Sequence, residues 1–138
     1  MKYMILLYGS QRDYDAMAGK STDKPALSPE DFAPMHEFMG SWNQELVDSG
    51  EFVDANGLAA PAHARRIQLR NGAPVVTDGP YPETQEVLAG YTLVECESFD
   101  RATEIAARLS KCPYPAGAGG EFVVDVRPVL DSRGELEL

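Results

Sequence analysis

Residues 28–50 commit this chain to one amphipathic helix, and that helix restricts what the rest can build. Ser28-Pro29-Glu30-Asp31 is a start signal. Ser28 caps, Pro29 takes the first helical position, and two acids sit at the positive dipole end. Phe32, Met35, Met39, Trp42 and Leu46 then recur at spacings of three and four, which makes one apolar face. Pro34 falls in the first turns, where a missing N–H costs little. Gly50 is a natural stop.

Strand-like segments surround this helix. Residues 2–8 are rich in β-formers and suit a buried strand. Gly9 to Ala26 is polar and reads as a long loop, either a lid or a disordered insertion. Glu51 to Ala55 predicts a short strand, Asn56-Gly57 a turn or bulge, and Pro61 to Ala64 a connection. Residues 66–70 alternate, Asn71-Gly72 is a hairpin turn, and Pro74 to Thr77 returns. Val87 to Glu97 predicts a longer strand with apolar bulk from Leu88, Tyr91, Leu93 and Val94. Ser98 caps a second helix with a stripe of Ala102, Ile105, Ala106 and Leu109, ended by Pro113 and Pro115. Ala116 to Gly120 is a Gly/Ala loop. Phe122, Val124 and Val126 alternate with Glu121, Asp125 and Arg127 in a last strand closed by Pro128, and an acidic tail runs to Leu138.

The order is strand–helix–strand, a hairpin insert, then strand–helix–strand. It predicts an α+β fold: a ferredoxin-like βαβ-βαβ subunit, with two helices on one face of an antiparallel sheet. The other face would lie uncovered, although Tyr91 to Val94 is apolar on both sides. Sheet-on-sheet packing of two copies is the economical cover, so a homodimer is expected.

At 138 residues the chain reads as a single domain, 1–138. A net charge of −10, with no basic run longer than Arg65-Arg66, argues against nucleic acid. The apolar run in residues 1–8 is too short for an export signal and no small-residue cleavage site follows it. No segment reaches membrane-spanning length, so no membrane partner is expected. Cys96 and Cys112 are too few for a disulfide framework. Free thiols and a cytoplasmic location are the expectation. No His/Cys spacing resembles a metal site, and neither metal nor cofactor is expected.

Chemistry concentrates in residues 78–86, which hold two prolines and three carboxylates. One reading of Asp78-Gly79-Pro80 is a turn and nothing more. The other has the turn present Asp78, Glu83 and Glu86 to a pocket, with Asp78 as general acid or base. Tyr81 and Thr84 hydroxyls would then orient a polar ligand. His36 lies on the flank of the first helix's apolar face, with Asn43 two turns along on the same side. It is either a boundary residue or a proton shuttle. Cys112 follows Lys111 at a helix C-terminus, an end that disfavours a thiolate.

Asp78-Gly79-Pro80-Tyr81 with Glu83, Thr84 and Glu86, placed just before Gly90-Tyr91, resembles the DGPF-domain proteins of the YCII-related family. The opening Met1-Lys2-Tyr3-Met4, Leu7-Tyr8-Gly9 and the closing Val126-Arg127-Pro128-Val129 fit the same resemblance. It implies a dimeric α+β barrel. It also implies a regulatory or stress setting, since many such proteins are encoded beside extracytoplasmic-function sigma factors. Some YCII-like relatives are enzymes with a His–Asp pair, one of them a dehydrochlorinase acting on a chlorinated ring. Here Cys112 stands at the aspartate position, and the helix histidine position falls nearer Met39 than His36. Typical members carry Phe and Lys where this chain has Tyr81 and Gln85.

Three functions follow as expectations. The first is a small-molecule binding or sensing protein. The second is an acid–base lyase, isomerase or dehydrohalogenase with His36 and Asp78 catalytic and Tyr81, Glu83, Thr84 and Glu86 binding substrate. The third is a protein-partner module of a sigma-factor pathway, its acidic surface meeting a basic partner.

Overall fold

The structure, a computed structural model, describes residues 1–20, 27–115 and 122–130. Six strands are present there: β1 (Lys2–Gly9), β2 (Phe52–Gly57), β3 (Arg65–Arg70), β4 (Ala73–Asp78), β5 (Val87–Glu95) and β6 (Val124–Pro128). The helices are α1 (Gln11–Met17), α2 (Ala33–Ser49) and α3 (Phe99–Ala107). Short 3-10 turns cover Pro29–Phe32, Pro61–His63 and Arg108–Lys111.

Four strands form one antiparallel sheet in the order β2-β5-β1-β6, and β3 pairs with β4 as a separate ribbon. Alternation along β1 sends Tyr3, Ile5 and Leu7 to the helix side. There Tyr3 and Ile5 meet Val94, Trp42, Leu46, Ala102, Ile105, Ala106 and Leu109 in the main core. The Trp42 indole donates to the Ile105 carbonyl at 2.9 Å, which locks α2 to α3. Small alanines at 102 and 106 let α3 lie close to the sheet, as its stripe predicted.

This is an α+β fold with helices on one face of an antiparallel sheet. The ferredoxin-like dimeric barrel expected above is corrected. Among the described residues the sheet is open, β2 and β6 are its edges, and it does not close into a barrel. The face away from the core is also more polar than expected. There Tyr8 donates to Asp125 at 2.5 Å, and Tyr91 with Asn56 contacts Asp54.

Two local expectations also change. The stretch from Gly9 holds a helix rather than a loop. Ser10 Oγ accepts from the Asp13 N–H at 3.2 Å, while the Asp13 carboxylate accepts from the Ser10 N–H at 2.9 Å. That reciprocal cap starts a helix too short to show a periodic stripe. Residues 21–26 lie outside the described residues, as do the Gly/Ala loop at 116–120 and the tail from 131. Asn56-Gly57 continues β2 instead of turning, paired with Tyr91 and Gly90. Asn71-Gly72 does turn the hairpin, both residues with positive φ (52° and 78°) and Arg70 opposite Ala73.

Candidate functional site

The core fills only one end of the space between sheet and helices. At the other end the sheet supplies Gly9, Ala55, Gly57, Ala89 and Gly90, which have little side chain to fill it. Gly90 has no alternative. A Cβ there would lie 3.0 Å from the Asn56 carbonyl oxygen and 3.4 Å from Gly57 Cα, because β2 crosses that close. The result is a cleft of about 1140 Å³ between the sheet and the first half of α2.

Helix α2 contributes Met35, His36, Met39 and Asn43 to the lining. They follow the three-and-four spacing of its inner face. Leu7, Met17, Leu27, Phe32 and Leu109 add apolar surface. Thr92, which faces the cleft from β5, is buried.

Tyr14 forms part of the wall. Its hydroxyl donates to the Leu58 carbonyl at 2.7 Å and lies 3.3 Å from the Ala89 carbonyl. Burial raises its pKa above the ordinary phenol value. Ala89 is the extra residue of a bulge opposite Leu7 and Tyr8, and its carbonyl also accepts from Leu58 N–H at 2.8 Å. Helix α1 holds the neighbouring loops as well. Arg12 N–H donates to the Glu83 carbonyl at 3.1 Å, and Gln11 Oε1 accepts from Ala62 N–H at 2.8 Å.

The 78–86 segment divides. Thr84 and Glu86 line the cleft with His36. Asp78 does not line it; its carboxylate pairs with Arg65 at 2.9 Å across the base of the hairpin, where the two side chains are 78% and 74% exposed. Gly79 carries the turn at φ 53°, and its N–H donates to the Ala64 carbonyl at 2.8 Å. Tyr81 packs under the Arg66 guanidinium, 5.1 Å from the ring centre. With His63 it lines a separate 350 Å³ pocket. Glu83 is exposed and meets α1 through its backbone.

Sequence reasoning missed Tyr14, because Gly9 to Ala26 read as loop. The Ser10…Asp13 spacing was the signal that would have found the helix. Asn43 was noticed beside His36 but given no role; its i+7 position already placed it along the same wall.

Cys96 and Cys112 are both buried free thiols. Burial raises each pKa above the ordinary thiol value. Cys112 Sγ lies 3.9 Å from the Met35 carbonyl, behind the cleft wall. Among the described residues no cluster of His, Cys, Asp or Glu is placed to hold a metal ion. Among them, too, no helix is long and apolar enough to cross a membrane.

The chain is 30% identical over 137 residues to Uncharacterized protein R00369 of Rhizobium meliloti (strain 1021), covering 99% of this chain and 98% of that protein. The YCII-related domain model matches residues 1–130. The chain therefore belongs to the YCII-related domain family.

Proposed function

We propose that this protein binds a small, largely apolar molecule in the cleft between its sheet and α2, as a binding or sensing protein rather than a catalyst. The lining carries the reading: methionines and aromatics around a few fixed polar groups are the usual make-up of a ligand pocket. Cys112 supports binding over turnover. It stands where related enzymes are expected to hold an aspartate, and a buried thiol with a raised pKa is a poor replacement for a carboxylate base.

The test is a two-dimensional NMR titration with small neutral aromatic and carbonyl compounds. Shifts should cluster at Met35, Met39, Tyr14 and Gly90, and Met39→Lys should abolish them. Shifts confined to the hairpin, or none anywhere, would sink the reading.

A second reading draws on one observation: His36 and Glu86 line the same cleft. In it, His36 or Glu86 moves a proton on a ring or carbonyl substrate. Asp78 supports the hairpin base, and Thr84 orients the substrate. Full activity of both His36→Ala and Glu86→Ala on a verified substrate would exclude it.

A further inference from the structure

We propose that the outer edge of β3 docks an extended segment of a partner protein as an added strand, a segment in which acidic and apolar residues alternate. This surface is separate from the cleft and does not depend on what the cleft holds.

The β3–β4 ribbon leaves both of its faces bare. Every residue from Arg65 to Arg70 and from Ala73 to Asp78 is exposed. Cross-strand pairing sorts them. Ile67 opposite Val76 and Leu69 opposite Pro74 make an apolar face, and Ile67, Leu69 and Val76 are each more than half exposed. Arg66, Gln68 and Arg70 lie on the other face. A two-stranded ribbon is marginal in water. A third strand would cover apolar surface and pair backbone groups now left to solvent.

The two edges of the ribbon differ. The two-residue turn at Asn71-Gly72 makes Arg70 and Ala73 the first hydrogen-bonded pair. Alternation then turns the backbone groups of Ile67 and Leu69 outward on β3, and those of Pro74 and Val76 outward on β4. Pro74 has no N–H to offer, which blunts the β4 edge. β3 contains no proline, so its edge keeps both donors and acceptors.

Charge selects the incoming segment. Residues 65–78 hold three arginines and one carboxylate, in a chain of net charge −10. Arg65 is engaged by Asp78 at 2.9 Å. Arg66, held over the Tyr81 ring at 5.1 Å, shares the polar face with Arg70. A strand of alternating acidic and apolar residues would extend the Ile67–Leu69 row on one face. On the other it would set carboxylates beside Arg66 and Arg70, a favourable cross-strand pairing. A basic segment would meet repulsion there. The excess negative charge lies outside the hairpin, and salt of about 0.1 M screens it beyond roughly 10 Å.

The experiment titrates short capped peptides into the full chain at about 0.1 M salt and follows backbone amide shifts. One peptide alternates Glu with Val, a second alternates Lys with Val, and a third is the first with a central proline. The Glu peptide should shift the amides of Arg66 to Leu69 and bind at least about tenfold more tightly than the Lys peptide. The proline peptide should not bind. Arg66→Glu combined with Arg70→Glu should reverse the order, and Leu69→Pro should abolish binding by removing an outward N–H. Equal binding of the Glu and Lys peptides, no binding by either, or shifts away from β3 would overturn the proposal. Binding that survives Leu69→Pro would overturn strand addition. Hairpin shifts that change on dilution of the protein alone would assign this edge to a second copy and remove the partner. The comparison of peptides on the wild type needs no variant, so it decides the question even where Leu69→Pro fails to fold.

Discussion

The Tyr14 hydroxyl donates to the Leu58 carbonyl at 2.7 Å and so fastens α1 to the chain leaving β2. With the Gln11 and Arg12 bonds to Ala62 and Glu83, it holds a seven-residue helix against the sheet edge, and an isolated helix of that length has little stability of its own. Tyr14→Phe should lower stability by about 1 kcal/mol, the usual net worth of such a bond. It should also loosen the cleft wall, with faster hydrogen exchange at Tyr14 to Ala18. Urea unfolding and exchange measured together check both; unchanged exchange in α1 would show that its other contacts hold the helix.

Arg101 grips Glu51 through two nitrogens, Nε at 2.9 Å and Nη2 at 2.8 Å. The pairing joins α3 to the start of β2, with Ser49 adding a third bond to the carboxylate at 2.8 Å. Chiefly because of the Arg101 bonds, the Glu51 pKa falls below its ordinary 4.5. A depressed folded pKa gives stability that is fully present above the unfolded value. That stability is lost as pH falls through the folded value. The side chains are 15% and 30% exposed, so the expected contribution is about 1 kcal/mol after solvent screening. Glu51→Gln should remove it at pH 7, and the gap between variant and wild type should narrow as pH falls from 4.5 through the folded value. A gap that does not narrow on acidification would assign the loss to packing.

Asp78 and Arg65 form an exposed pair, and such pairs contribute between zero and about 1 kcal/mol. Asp78→Asn should leave stability within that range. It should leave binding of cleft probes unchanged within about twofold, because Asp78 is not part of the lining. Glu86→Gln, at the lining, should alter probe binding. Calorimetric titration of the two variants separates them. A large loss on Asp78→Asn alone would return the segment's first residue to the site.

Much of the sheet and both longer helices were legible from local signals. Ser28, Gly50, Ser98 and Asn71-Gly72 mark ends and turns that the backbone obeys. Local signals failed where pairing decided the conformation. Asn56-Gly57 reads as a turn in isolation, yet Gly90 opposite it lets β2 continue. The site was only half legible for the same reason. Residues 78–86 are contiguous in sequence, but the backbone leaves the hairpin at Gly79. The first part of the segment stays with β3, and Thr84 and Glu86 reach the cleft. The barrel expectation came from resemblance and was not contained in any strand pattern.

Both thiols are buried, with pKa raised by burial. Neither should react with a disulfide reagent at pH 7 on the timescale of a free thiol. Full labelling should appear only in denaturant. Rapid native-state labelling of Cys112 would mean that the wall behind Met35 opens in solution.

Gly90 and Gly57 face each other across β2 and β5 but are not equivalent. A Cβ at Gly90 would strike the Asn56 carbonyl at 3.0 Å, an unyielding backbone contact, whereas a Cβ at Gly57 meets nothing within 4 Å. Gly90→Ala should therefore cost about 1–3 kcal/mol, as overpacking does. Gly57→Ala should be neutral or slightly stabilising, because it removes unfolded-state freedom without strain. Both line the cleft, so either methyl should weaken probe binding, but only Gly90→Ala should also disturb the spacing of β2 and β5. Denaturation midpoints with probe titrations on both variants check the pair, and equal costs would show that β2 yields more easily than its packing implies.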